Sequence, residues 1–193
     1  RINSNNISVI TTIHSQTEEL HERVNGSKGS FRKTIRGLVN VNQAGFHTIV
    51  KHCVTKENYT ELKEFFQFVD NTFPQSVDMQ LCSIDYCGLE EEIKNNYKLE
   101  FPRMRPYLEK MFDKYLEKGE PGRLVYCFNM PLCSADPFYW RFFTPKSYGY
   151  EGYVSPNRDG KSQRAYNVDS NVGLYTNACK KCKANQLCAG TYR

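Results

Sequence analysis

Three short apolar runs, separated by stretches of a different period, organise the first half of the chain. Residues 7–14 (Ile-Ser-Val-Ile-Thr-Thr-Ile-His) are β-branched with partial alternation and predict a strand. Residues 46–54 and 77–84 predict two more. Between the first two, Phe31, Ile35, Leu38 and Val39 recur at helical spacing, so one face of a helix is apolar. Ser30 is expected to cap that helix, and Gly45 to sit just past its end. Thr17 is likewise expected to cap a short acidic turn over residues 18–22. Before the third strand, Leu62, Phe65, Phe66 and Val69 mark a second helical face, with Asn58 and Glu61 placed like a capping box. Strand, helix, strand, helix, strand with short links predicts an α/β fold with a parallel sheet and right-handed crossovers.

The pattern then changes. Residues 85–101 are polar and irregular. Residues 103–118 predict a helix with Tyr107, Leu108, Met111, Phe112, Tyr115 and Leu116 apolar. A turn at 119–122 leads to a strand at 124–129 and to Met130-Pro131-Leu132-Cys133. Residues 134–178 are rich in Tyr, Phe, Gly, Pro and Asn, with little periodicity.

Composition narrows the function classes. Aromatic residues make up 13% of the 193, which argues against a disordered chain. The net charge is +5, but the basic residues do not segregate: Lys110, Lys114 and Lys118 alternate with Glu109, Asp113 and Glu117. That is a solvated helix face, so no nucleic-acid partner is expected. No apolar run approaches a membrane span and no signal peptide opens the chain, so no membrane partner is expected. The start at Arg1 and the stop after Arg193 are read as the ends of a fragment.

The cysteines carry the candidate chemistry. Cys179-Lys-Lys-Cys182, then five residues and Cys188-Ala-Gly190, places three thiols within ten residues. Two thiolates two residues apart can hold one metal centre from a single turn. A fourth ligand is needed, and Cys133 is the best candidate. Gly190 lets the backbone pass close to a metal. Lys180, Lys181 and Lys183 offset thiolate charge. Spacing alone leaves iron–sulfur and zinc open. A disulfide is disfavoured, because a secreted disulfide scaffold would be smaller and poorer in regular structure. Cys53, Cys82 and Cys127 read as small core residues. Cys87, before Gly88, is harder to place.

Three stretches together resemble the radical S-adenosylmethionine (radical SAM) enzymes. The run Ile13-His14-Ser15-Gln16-Thr17-Glu18-Glu19-Leu20-His21-Glu22-Arg23, continuing to Gly29-Ser30-Phe31, is similar to a strand, polar turn and helix start of the radical SAM barrel. Residues 54–62 look like the next strand-to-helix turn. Pro131-Leu132-Cys133 with the later C-x2-C-x5-C-x-Gly looks like an auxiliary-cluster domain of the twitch or SPASM kind. The resemblance implies the C-terminal half of a partial (βα)6 TIM-like barrel over 1–88, a linking helix and strand over 89–130, and a small irregular iron–sulfur domain over 131–193.

The resemblance also implies a function. Cys133, Cys179, Cys182 and Cys188 would bind an auxiliary [4Fe-4S] cluster. The full parent would bind S-adenosylmethionine at a second [4Fe-4S] cluster and generate a 5′-deoxyadenosyl radical that takes hydrogen from a peptide or small protein. An external electron donor and a cytoplasmic location follow. Thr12 and Glu22 would contact S-adenosylmethionine; their alternative readings are a plain strand residue and a first-turn helix acid. His14 and His21 read as structural hydrogen-bonding residues. Asp85 and Tyr86 lie at a strand end where substrate could bind. The C-x3-C-x2-C motif for the first cluster is absent from these 193 residues, so the chain is not expected to be active alone. The alternative is a zinc-stapled, non-catalytic binding module.

Overall fold

Alternation along the strands sorts their side chains onto two faces. The computed structural model describes residues 7–84, 99–119, 122–144 and 175–190, with the backbone of two strands at 154–156 and 162–164. Strands β1 (Ser8–Thr12), β2 (His47–Val54), β3 (Val77–Ser83) and β4 (Val125–Phe128) form one sheet, all parallel and in chain order. The expected α/β fold with a parallel sheet is present, and the strand near residue 125 joins the edge beside β3. β5 (Val154–Pro156) and β6 (Ser162–Arg164) form a separate antiparallel pair.

The helices are α1 (Glu18–Asn25), α2 (Ser30–Gln43), α3 (Leu62–Thr72) and α4 (Phe101–Leu116). One sheet face supplies Ile13, Val50, Val54, Val77, Met79, Leu81, Val125 and Cys127 to a single core with Leu38 of α2, Phe65, Phe66 and Val69 of α3, and Met104, Leu108, Met111 and Phe112 of α4. All three helices therefore lie on that face. The opposite face is mixed, with Ile10, Ile49 and Phe128 beside polar residues, and register aligns Thr12, Lys51, Gln80 and Tyr126 in one row across it. Among the described residues no helix is long and apolar enough to cross a membrane.

The helix ends differ in part from expectation. Gly45 takes φ 84° just past α2, with the Gly45 and Phe46 amides bonded back to Asn42 and Val41, a Schellman closure. Ser30 is the first helical residue and does not cap; Gly29, at φ 75°, is the cap residue. The Phe31 amide is instead met by the Glu22 carboxylate at 3.4 Å. Thr17 occupies the cap position of α1 without a capping bond from its side chain. Asn58 and Glu61 make no capping box, because tertiary partners claim both: Gln16 bonds to Glu61, and Asn58 bonds to strand ends.

One buried cation fastens α3 to the sheet. Arg123 is fully buried and is the largest such side chain. Its guanidinium donates to the carbonyls of Phe73 at 2.9 Å and Pro74 at 3.2 Å, and also to Val77. Carbonyls left over at a helix end are acceptors that a cation suits. Tyr115 of α4 in turn donates to the Arg123 carbonyl at 2.9 Å. At the same edge a hydrogen-bonded row crosses the sheet from Ser8 through His47 and Asp78 to the Leu124 amide, each step 2.8 Å. Polar chains at the N-terminal ends of parallel strands read as stability devices.

Replacing Arg123 with Met leaves several buried carbonyls without a donor. Arg123→Met should lower stability by about 3 kcal/mol. In urea unfolding this appears as a lower midpoint with an unchanged slope; an unchanged midpoint would contradict the role given to the guanidinium.

Candidate metal centre and strand-end site

Cys133 stands on a turn held by α4. The segment leaves β4 at Met130 and makes one 3₁₀ turn, Leu132–Ser134, then a longer one, Pro137–Phe142. Residues 134–144 lack periodicity because aromatic stacking, not a helical stripe, holds them. Phe142 stacks on Phe112 of α4 with centroids 4.4 Å apart, and Tyr139 packs on the same ring at 5.5 Å. Glu109 of α4 accepts the Asp136 amide at 2.7 Å. The Trp140 indole N–H donates to the Leu132 carbonyl at 2.8 Å. These contacts bracket Cys133 on both sides and leave its side chain at the surface.

The C-terminal cysteines arrive at the same turn. Residues 177–181 form a 3₁₀ turn carrying Cys179, and the Cys182 amide bonds to the Cys179 carbonyl at 3.1 Å. Ala184 is buried in the main core and tethers the loop; the Cys188 amide bonds to its carbonyl at 2.9 Å. Two amides then point at one sulfur: Leu132 N donates to Cys188 Sγ at 3.4 Å and Gly190 N at 3.3 Å. Gly190 has φ 76°, the left-handed conformation this approach requires.

The turn that carries Cys133 and the loop that carries Cys188 therefore touch, through the Leu132 amide and the Cys188 sulfur. Burial raises the Cys133 thiol above its ordinary range, and negative charge on Cys188, then on Cys179 and Cys182, raises it further. Thiols that oppose one another's ionisation are relieved by a shared cation. Among the described residues, no three His, Cys, Asp or Glu side chains converge as the ligands of one ion would. Thiolates on a single zinc sit about 2.3 Å from it and so crowd together. A cubane cluster takes its thiolates on separate irons and spreads them wider. Two backbone amides point at the sulfur of Cys188, an arrangement open to either kind of centre.

The other predicted site residues are spread out. Thr12 lies on the mixed face of β1, in register with Lys51. Glu22 belongs to α1 and meets the Phe31 amide of α2. Asp85, Tyr86 and Cys87 lie outside the described residues.

The C-terminal ends of β1 and β2 are locked by Asn58. Its amide donates to the His14 and Cys53 carbonyls, each at 3.0 Å, and its oxygen accepts from Thr55 N at 2.7 Å. Three imidazoles cluster beneath this knot. His14 N donates to His21 Nδ1 at 3.1 Å, which fits the structural role expected of both. His52 was not singled out by sequence; it stacks on Phe65 at 3.8 Å with its Nδ1 2.9 Å from the Ile13 carbonyl. Burial lowers all three, and His52 falls from 6.5 to about 4.

Two further features escaped the sequence. Cys82 and Cys127 are buried, as expected of core thiols, and Cys53 is half-buried. Alternation sets Cys53 and Cys82 on the sheet face that also carries Lys51 and Gln80, across from Cys127. Asn129 ends β4 at φ 59°, buried, with neither side-chain polar atom bonded, while its carbonyl accepts from Ser83. Asn tolerates the left-handed conformation better than most residues, which suits it to this sharp exit from the strand. Its signal in the sequence was an Asn between a strand and Met-Pro. No model of a known protein family and no curated protein matches the chain.

His52 makes the fold acid-sensitive. Its proton affinity is depressed in the folded state, so the unfolded chain binds more protons between about pH 4 and pH 6.5. Stability present at neutral pH should fall by about 3 kcal/mol as the pH drops through that window. Urea midpoints measured from pH 7 to pH 4 should show this, and His52→Gln should flatten the slope. A midpoint independent of pH there would contradict it.

Proposed function

We propose that this chain is the C-terminal part of a radical SAM enzyme in which Cys133, Cys179, Cys182 and Cys188 hold an auxiliary [4Fe-4S] cluster. The observation that carries this reading is the meeting of two distant segments. The Leu132 amide bonds to the sulfur of Cys188, 56 residues on, and Cys133 feels the charge of all three later thiols. The sheet supports the wider assignment. Parallel strands in chain order with helices on one face are what half of a (βα)6 barrel would contain, and this supports the reading. The other half, S-adenosylmethionine and its own [4Fe-4S] cluster belong to the rest of the parent.

Within this reading the chain's residues have separate tasks. The amides of Leu132 and Gly190 stabilise negative charge on Cys188 Sγ. Lys180, Lys181 and Lys183 offset the charge of the neighbouring thiolates. The contacts of α4 hold Cys133 in place. The polar row Thr12, Lys51 and Gln80 offers hydrogen bonds and one positive charge to a bound ligand at the strand ends. A bound cluster of this kind carries single electrons at a potential set by its surroundings. The substrate class proposed is a peptide or small protein, with an external electron donor, in the cytoplasm.

Anaerobic reconstitution of the full chain with ferrous iron and sulfide should give about four irons and four sulfides per chain. The brown colour should be lost in Cys133→Ala. A colourless protein holding one zinc would overturn the reading in favour of a zinc-stapled binding module.

A further inference from the structure

The sheet face opposite the main core carries two thiols in contact. Cys53 and Cys82 are register partners on adjacent parallel strands, with sulfurs 3.4 Å apart. Neighbouring strands run about 4.8 Å apart, within the Cα separations that a disulfide spans. Closure needs the sulfurs to approach to about 2.0 Å. Core packing does not explain the pair, since the apolar cluster lies across the sheet and takes only Cys127 from its cysteines.

The two thiols are unequal. Cys82 is 3% exposed, whereas Cys53 is half-buried and reachable from solvent. The contact with Cys82, opposed by burial and aided by the Lys51 ammonium, lowers Cys53 from 9.0 to about 7. The same contact, with burial, raises Cys82; Lys51 partly offsets this and Cys127 adds to it. Cys53 is therefore the thiol of the pair that ionises more readily, beside a partner that holds its proton. A thiolate with a pKa near the ambient pH, next to a second thiol, is the arrangement that exchanges fastest.

We propose that Cys53 and Cys82 form a redox-active dithiol that exchanges with small-molecule disulfides. The Cys53 thiolate attacks one sulfur of the small disulfide, breaks its S–S bond and releases one thiolate. Cys82 then gives up its proton, attacks Cys53 Sγ in the mixed disulfide and displaces the second thiolate. Starting from the Cys53 thiolate, the protein loses two electrons and the Cys82 proton; the small disulfide gains the two electrons and leaves as two thiolates, one taking up the Cys82 proton and the other a proton from water. The product is a covalent bridge between β2 and β3 near their C-terminal ends. It consumes the negative charge beside Lys51 and so changes the polar row that Lys51 shares with Thr12 and Gln80. The four cysteines at the candidate metal centre take no part.

The test is equilibration of the full chain with graded ratios of reduced and oxidised glutathione, then acid quench, alkylation and peptide mapping. The expected result is one two-electron transition that links the Cys53 peptide to the Cys82 peptide. Cys82→Ser should instead leave one glutathione on Cys53, because no second thiol resolves it. Lys51→Met should slow alkylation of Cys53 at pH 7 several-fold. The titration of the unaltered chain needs no variant to fold. Free thiols at both positions at the most oxidising ratio would overturn the proposal, as would a stable glutathione adduct on Cys53 with Cys82 present. Mapping reads residues 53 and 82 separately from 133 to 188, so the outcome is independent of iron binding.

Discussion

Parallel strands laid down in chain order, each joined to the next by a helical crossover of one hand, leave no choice about where the helices go. They must all land on the same side. The rest of this structure follows from that constraint. One sheet face becomes the floor of the only large apolar cluster among the described residues, filled by Leu38, Phe65, Phe66, Met104, Leu108 and Phe112. The other face receives none of α2, α3 and α4 and is mixed: Ile10, Ile49 and Phe128 lie among Thr12, Lys51, Cys53, Asp78, Gln80 and Cys82. A sheet buried on both sides would read as continuous Val, Ile and Leu. The alternation in β2 and β3 instead keeps two chemistries apart by the thickness of one sheet.

The last helix joins that framework to the cysteines. α4 packs on α3 through the core and on the 3₁₀ turn that carries Cys133. Phe112 serves both surfaces, reaching the main core on one side and stacking on Phe142 on the other. Ala184 enters the same core from the C-terminal loop. The cysteine region is thus seated on the α/β body, not hung from a tether. This matters for any centre that must stay at a fixed distance from the strand ends, because electron transfer and substrate placement both depend on such distances.

The buried polar groups divide between the two ends of the sheet. At the N-terminal end they are paired: Arg123 with carbonyls, Asp78 with Leu124 N and His47. At the C-terminal end Asn58 satisfies three backbone groups, yet nearby atoms have no partner. They are His14 Nδ1, His21 Nε2, His52 Nε2 and the Asn129 amide. Desolvated groups of this kind cost stability unless met by a ligand or water. Pairing is incomplete at the N-terminal end as well, where Arg123 Nε has no partner among the described residues.

Much of this was legible in the order of residues. The three strands, the helical faces of α2 and α3, the closing turn at Gly45 and the C-x2-C-x5-C grouping all rest on local period and spacing, which the chain carries in any context. The exposure of Cys133 was also within reach, because it follows a strand and a proline where no core position needs it. Other features depended on neighbours far along the chain. Asn58 and Glu61 have the spacing of a capping box, but His14, Cys53 and Gln16 offered them better partners. Glu22 replaced Ser30 at the start of α2 because α1 folds back on it. Whether Cys53 and Cys82 were core thiols or a facing pair turned on strand register, which is set only when β2 meets β3. Local physics thus determined the elements and the candidate ligands; tertiary structure decided which groups face each other, because contact is a property of two segments and no single one contains it.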